Sequence, residues 1–155
     1  MRFGIPIETD LRRGIGERRV ALSPAGVREL CAAGAEVLVH TEAGSRAGFT
    51  YEEYSAAGGQ IVYDIREVYG RADVVLRVER PHDDECLWLS EGATVLSFVH
   101  LHGAGRWLPR SLCQRNLTVL GLEAMYEDDG VFPLQKAASQ IAGRMAPQIA
   151  GRLLE

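Results

Sequence analysis

This chain has little cysteine, no long apolar run and no strong excess of one charge. Three cysteines in 155 residues, Cys31, Cys86 and Cys113, are too few and too dispersed for a disulfide framework or a zinc site. They read as buried free thiols of a reducing, cytoplasmic compartment. No apolar stretch reaches the ~18 residues of a membrane-spanning candidate. The N-terminus runs straight into a strand-like segment, with no signal peptide in view. A formal net charge of -4 offers no basic face of the kind nucleic acid needs. Glycine-rich phosphate cradles are missing too. Gly14-Ile15-Gly16 is not framed by the strand and helix of a dinucleotide fingerprint, and there is no Walker loop. His102 follows His100 at two residues, but with no cysteine or carboxylate beside them no metal site is expected.

What the chain does have is alternation. A content of 46% hydrophobic and 25% charged residues is that of an ordinary globular protein, and the length suits one domain. Strands are expected at 3–7, 36–40, 60–63, 73–78, 94–99 and 117–122. Between them lie helix signals. Ser23 is an N-cap with Pro24 at the first helical position, and Gly34 stops that helix. Residues 44–49 read as a loop. Thr50 with Glu53 forms a capping box, and Asp64 with Glu67 repeats its logic. Short helices are expected at 83–89 and 106–114, a polar turn at 126–130, and one long helix at 136–155. Pro147 inside it should kink the helix or start a new one. That helix reaches the last residue with no stop signal, so the natural chain is expected to continue. Strands separated by helices imply an α/β, three-layer sandwich with a mostly parallel sheet. The continuous apolar runs at 74–76 and 95–99 suit strands covered on both faces.

Ligands of open α/β sheets bind where strand ends gather, which draws the eye to three places. Arg19 sits in Glu17-Arg18-Arg19-Val20-Ala21-Leu22-Ser23-Pro24, after a charged, glycine-containing stretch at 10–16. Its guanidinium could clamp a carboxylate with two parallel hydrogen bonds, or simply pair with Glu17 at the surface. His100 ends an apolar strand, where an imidazole could move a proton near neutral pH, or stand as an ordinary strand-end histidine. In Leu76-Arg77-Val78-Glu79-Arg80-Pro81, alternation puts Arg77 and Glu79 on one face and Val78 on the other. That pair could line a crevice or form a solvated edge. Together these point to a small keto or amino acid. On the last helix, Gly143 and Gly151 with Ala142 and Ala150 suit close packing against another helix.

Several runs carry a family resemblance: Met1-Arg2-Phe3-Gly4-Ile5-Pro6-Ile7-Glu8, the Glu17 to Val27 run, Ala33-Gly34-Ala35-Glu36-Val37-Leu38-Val39, Ala72-Asp73-Val74-Val75-Leu76, Phe98-Val99-His100-Leu101 and Ile141-Ala142-Gly143-Arg144-Met145-Ala146-Pro147-Gln148. They resemble the N-terminal domain of alanine dehydrogenases and of nicotinamide nucleotide transhydrogenases, with His100-Leu101 and Asp129-Gly130 leaning to the former. The resemblance implies a flavodoxin-like (Rossmann-like) substrate domain working with a separate NAD-binding Rossmann domain, in cis or in trans, that these residues do not contain. It implies reversible oxidative deamination of L-alanine to pyruvate and ammonia, and a homo-oligomer. Arg19 would clamp the pyruvate carboxylate, His100 would transfer the proton, and Ser139 would approach the nicotinamide. One departure stands out. The family run Lys-Val-Lys-Glu-Pro reads here Arg77-Val78-Glu79-Arg80-Pro81, so a substrate-binding lysine becomes Glu79. A carboxylate repels the substrate carboxylate, and Arg77 or Arg80 would have to reach in instead. The chain alone is expected to be catalytically silent. The rival expectations are a non-catalytic binding or oligomerisation module, and a domain of a transhydrogenase or of an opine- or saccharopine-type dehydrogenase.

Overall fold

A computed structural model describes residues 1–8, 16–100 and 114–154 of the chain. The expected helix at 106–114, with Cys113 and His102, lies almost wholly outside the described residues. The elements in order are β1 (Arg2–Ile5), α1 (Pro24–Ala32), β2 (Glu36–His40), α2 (Tyr51–Ala56), β3 (Gln60–Val62), α3 (Ile65–Arg71), β4 (Val74–Glu79), α4 (Asp83–Trp88), β5 (Thr94–Phe98), β6 (Thr118–Gly121) and α5 (Pro133–Leu153). The six strands form one sheet in the order β3-β2-β1-β4-β5-β6, and each neighbouring pair is parallel. This is the doubly wound order whose strand sequence reverses between β1 and β4.

Local chemistry explains most element ends. The Ser23 hydroxyl accepts from the Gly26 N–H at 3.4 Å, and Pro24, which has no N–H to waste, opens α1. Thr50 and Glu53 make the reciprocal capping box at 3.3 and 2.8 Å. Asp64 caps α3 through the Arg66 N–H at 2.9 Å, but Glu67 does not reach back. It pairs with Arg71 one turn ahead instead.

Helices cover both faces of the sheet. Val37 and Val39 of β2 pack with Val27 of α1, and with Tyr54 and Ala57 at the end of α2. Leu38, between them in the strand, points the other way onto Val68 of α3. That period-two split within one strand makes the three layers. A further cluster joins Tyr69, Ala72, Val75, Leu89, Ala93 and Val95 beneath the β4–β5 half.

Two expectations need correction. The last helix begins at Pro133, not at 136, because proline is well suited to the first helical position. No new helix starts at Pro147; one 21-residue helix includes it. Almost all of α5 is exposed, including Ile141, Met145 and Ile149. Even so, no helix among the described residues is long and apolar enough to cross a membrane.

The second correction concerns β4. Its pairing with β5 shifts register between Leu76 and Glu79. The irregularity breaks the two-residue alternation, so Arg77 and Val78 are both buried while Glu79 is exposed. Arg77 and Glu79 therefore do not share one environment.

Candidate functional site

The C-terminal ends of β1 and β4 flank the place where the strand order reverses, and a crevice is expected there. A shallow, solvent-open hollow lies at the end of β1, lined by Pro6, Ile7, Glu8, Glu17, Arg18, Arg19, Val20, Glu42, Gly44 and Arg46.

Arg19 lies in this lining, its side chain 59% exposed. Its guanidinium is engaged with Glu17 by both mechanisms open to a fork. Nε donates to Oε1 at 2.9 Å and Nη2 to Oε2 at 2.6 Å. The same Oε1 accepts from the backbone N–H groups of Arg18 at 2.8 Å and Arg19 at 2.9 Å. The hydrogen bonds to Arg19 hold the Glu17 carboxyl below its ordinary range, although partial burial opposes this. Glu17 in turn raises the pKa of Arg19, with weaker help from the charges of Glu79 and Glu8. Of the two sequence readings of Arg19, the structure shows the pairing with Glu17. Four donors converge there on one carboxylate.

Glu79 ends β4 opposite Phe98 of β5, and the Phe98 ring stacks on His100 with centroids 6.0 Å apart and planes 17° from parallel. His100 has φ of +46°, a left-handed conformation that a non-glycine residue adopts only when its surroundings hold it there. Arg19, Glu79 and His100 therefore stand along one edge of the sheet, at or beside the ends of β1, β4 and β5. His100 does not line the hollow; it lies two strands across from β1. Ser139 is exposed in the first half of α5.

Arg77 is elsewhere. It is 2% exposed, and its Nη1 meets Glu85 and also donates to the Tyr69 hydroxyl at 2.5 Å. Its Nε lies 3.8 Å from Glu8 Oε2. Burial works against the guanidinium charge, but Tyr69, Glu85 and Glu8 outweigh it and raise its pKa. Burial also pushes the Tyr69 hydroxyl well above its usual range. Buried in this network, Arg77 serves the packing of β4 against α3 and α4.

Sequence reasoning missed two residues that hold the edge together. Glu8 accepts from the Val78 N–H at 2.6 Å and from the Glu79 N–H at 2.8 Å. Burial raises its pKa against the pull of Arg77 and these two N–H groups. Glu123 accepts from the Val99 N–H at 3.1 Å and the His100 N–H at 2.8 Å. Burial opposes its charge, yet peptide N–H groups hold its pKa down. Each glutamate, just beyond its own strand, thus grips two peptide N–H groups at or just past the end of the neighbouring strand. An acidic residue just beyond an apolar strand was the available signal. Hydrogen bonds to a charged acceptor contribute about 1.5–3 kcal/mol each. Glu123→Ala should therefore speed amide hydrogen exchange at Val99 and His100 by tenfold or more, with Glu123→Gln intermediate. Unchanged exchange at both amides would refute the brace.

In this strand order a dinucleotide pyrophosphate would rest on the turn after β1. Here β1 runs into Pro6-Ile7-Glu8, with no glycine and with a buried carboxylate aimed at the neighbouring strand end. Pro6, Ile7 and Glu8 offer no seat for a pyrophosphate.

Comparison with known proteins agrees with this fold. The family model "Alanine dehydrogenase/PNT, N-terminal domain" matches residues 4–142. The chain is 38% identical over 149 residues to the alanine dehydrogenase of Mycobacterium tuberculosis, covering 96% of this chain and 39% of that protein. It is 37% identical over 139 residues to the Bacillus subtilis alanine dehydrogenase, covering 90% and 36%. A solved L-alanine dehydrogenase superimposes with a TM-score of 0.89 at 34% identity, over 100% of this chain and 41% of that one. A transhydrogenase from Sinorhizobium meliloti gives a TM-score of 0.71 at 28% identity, over 81% and 36%. The chain thus spans about two fifths of the length of these relatives. With matches over almost its whole length, this chain belongs to the alanine dehydrogenase/PNT N-terminal domain family.

Proposed function

We propose that this chain is the substrate-binding module of an L-alanine dehydrogenase-like oxidoreductase, working on L-alanine, pyruvate and ammonia. The observation that carries the reading is the four-donor carboxylate seat. Arg19 and the two adjoining peptide N–H groups form it beside the switch point, at the same sheet edge as His100. Arg19 would hold the ligand carboxylate in bidentate fashion. His100, fixed in place by Glu123 and Phe98, would move protons to and from the oxygen and nitrogen borne by the substrate carbon that passes between carbonyl and amine. Glu79 would face the amino group rather than the carboxylate.

NAD supplies hydride acceptance in such a reaction, and it would be held by a domain outside this chain. Ser139, exposed on α5, is the contact we assign to it. The exposed apolar side chains of α5, Ile141, Met145 and Ile149, suit a helix-to-helix contact in a homo-oligomer. By itself the chain binds and orients but does not turn over alanine.

The reading is tested by calorimetric titration with pyruvate. Weak binding is expected, reduced tenfold or more in Arg19→Ala, because a charged bidentate contact is lost. Equal heats for wild type and Arg19→Ala would overturn it.

A further inference from the structure

Arg19's fork is full in this molecule. Glu17 presents a carboxylate to Nε, Nη2 and two peptide N–H groups, with every donor distance between 2.6 and 2.9 Å. That is the arrangement a ligand carboxylate would need in order to use Arg19. Glu17 is no incidental surface partner either, since its side chain is only 12% exposed. The seat therefore has a resident occupant of the same chemistry as the expected ligand.

We propose that Glu17 is the specificity-determining residue of this site: an internal carboxylate that a ligand must displace, which makes the site favour an α-amino acid zwitterion over the matching 2-oxo acid. The proposal rests on the substrate-binding reading above. Its logic is charge balance. The hollow is lined by three carboxyl groups, Glu8, Glu17 and Glu42, and by three arginines, Arg18, Arg19 and Arg46. Glu79 adds another carboxylate whose charge reaches Arg19. A 2-oxo acid entering the seat adds a negative charge to a lining that already holds as many carboxyl groups as arginines, and turns the Glu17 carboxylate out to share Arg18 and Arg46 with Glu8 and Glu42. A zwitterion brings its own ammonium group, which the freed Glu17 or Glu79 can pair with. Discrimination here comes from the excess negative charge that the wrong ligand brings, as specificity often does.

The experiment titrates L-alanine and pyruvate separately into the wild-type chain, Glu17→Gln, Glu17→Ala and Arg19→Ala, with thermal melts to confirm that each variant is folded. Glu17→Asp is held in reserve should the larger changes unfold it, since its shorter side chain cannot span both Nε and Nη2. In the wild type, alanine is expected to bind severalfold more tightly than pyruvate. Glu17→Gln should tighten pyruvate about tenfold and narrow or reverse the preference. If the Glu17 variants leave pyruvate affinity unchanged while Arg19→Ala still weakens both ligands, the proposal falls and the substrate-binding reading stands. Wild-type binding of pyruvate as tight as that of alanine has the same consequence. If no variant binds either ligand, both fall together.

Discussion

Glu85→Ala is expected to lower the unfolding free energy by about 3–5 kcal/mol, the range for breaking a buried ion pair and leaving its partner charged. Arg77 and Glu85 are almost wholly buried, so water cannot replace the lost carboxylate. Glu85 also accepts from the Tyr69 hydroxyl at 2.9 Å and from the His82 N–H at 2.7 Å. One substitution therefore takes the nearest carboxylate from a guanidinium and the acceptor from a phenol and from the N-cap peptide of α4. Urea unfolding measures the loss. Adding Arg77→Met to Glu85→Ala should recover part of it, because the orphaned charge goes too; a double variant as unstable as the sum of the singles would contradict the buried-pair account. Arg77→Met alone has a pH signature. Glu8 already has its pKa raised by burial, against the pull of Arg77. A raised carboxyl stabilises the fold below its unfolded pKa, and that contribution is lost as pH rises through the folded pKa. Removing Arg77 raises Glu8 further, so Arg77→Met should gain stability, relative to wild type, as pH falls from neutral. Glu17, whose pKa is lowered by Arg19, works the other way: its contribution is lost as pH falls through its folded value.

The same network shows where the sequence could be read and where it could not. Sheet and helix signals are local. Ser23-Pro24 and Thr50-x-x-Glu53 act within one helical turn, and β2 appears at 36–40 as its apolar run implies. Strand ends could be read as well, and with them the edge on which Arg19, Glu79 and His100 stand. Arg77 was misplaced because alternation assumes an unbroken ladder, and the register shift after Leu76 is set by β5, eighteen or more residues away. The braces were hidden for a related reason. Glu8 meets Val78 across 70 residues and Glu123 meets His100 across 23. Those meetings depend on β1 lying beside β4 and β6 beside β5, which no local spacing encodes. Nor does spacing reveal that Glu17 fills the fork of Arg19: a Glu two residues before an Arg is common, and only coordinates show all four donors converging.

Gly4→Val should be the most damaging single change to the sheet, costing about 3 kcal/mol, at the upper end of ordinary overpacking. Glycine inside a strand is unfavourable on entropy alone, and it commonly marks a close approach. At Gly4 the approach is that of α3. A Cβ built there would lie 2.8 Å from Ala72 Cβ, 3.0 Å from Val68 Cγ1 and 3.1 Å from the Val68 carbonyl oxygen. Both of those side chains are buried, and the carbonyl belongs to helix backbone, so nothing flexible can give way. β1 pairs with both β2 and β4 through this stretch, Gly4 opposite Leu38 on one side and Val75 on the other. Moving β1 to relieve the clash would disturb both ladders. It would also shift Glu8, four residues on, away from the Val78 and Glu79 N–H groups. Gly4→Val should therefore lower the denaturation midpoint and weaken protection of the Glu79 amide together, whereas Gly4→Ala should do both to a lesser degree. Wild-type stability in Gly4→Val would mean that α3 does not press on β1, and the link from this packing to the ligand edge would be lost with it.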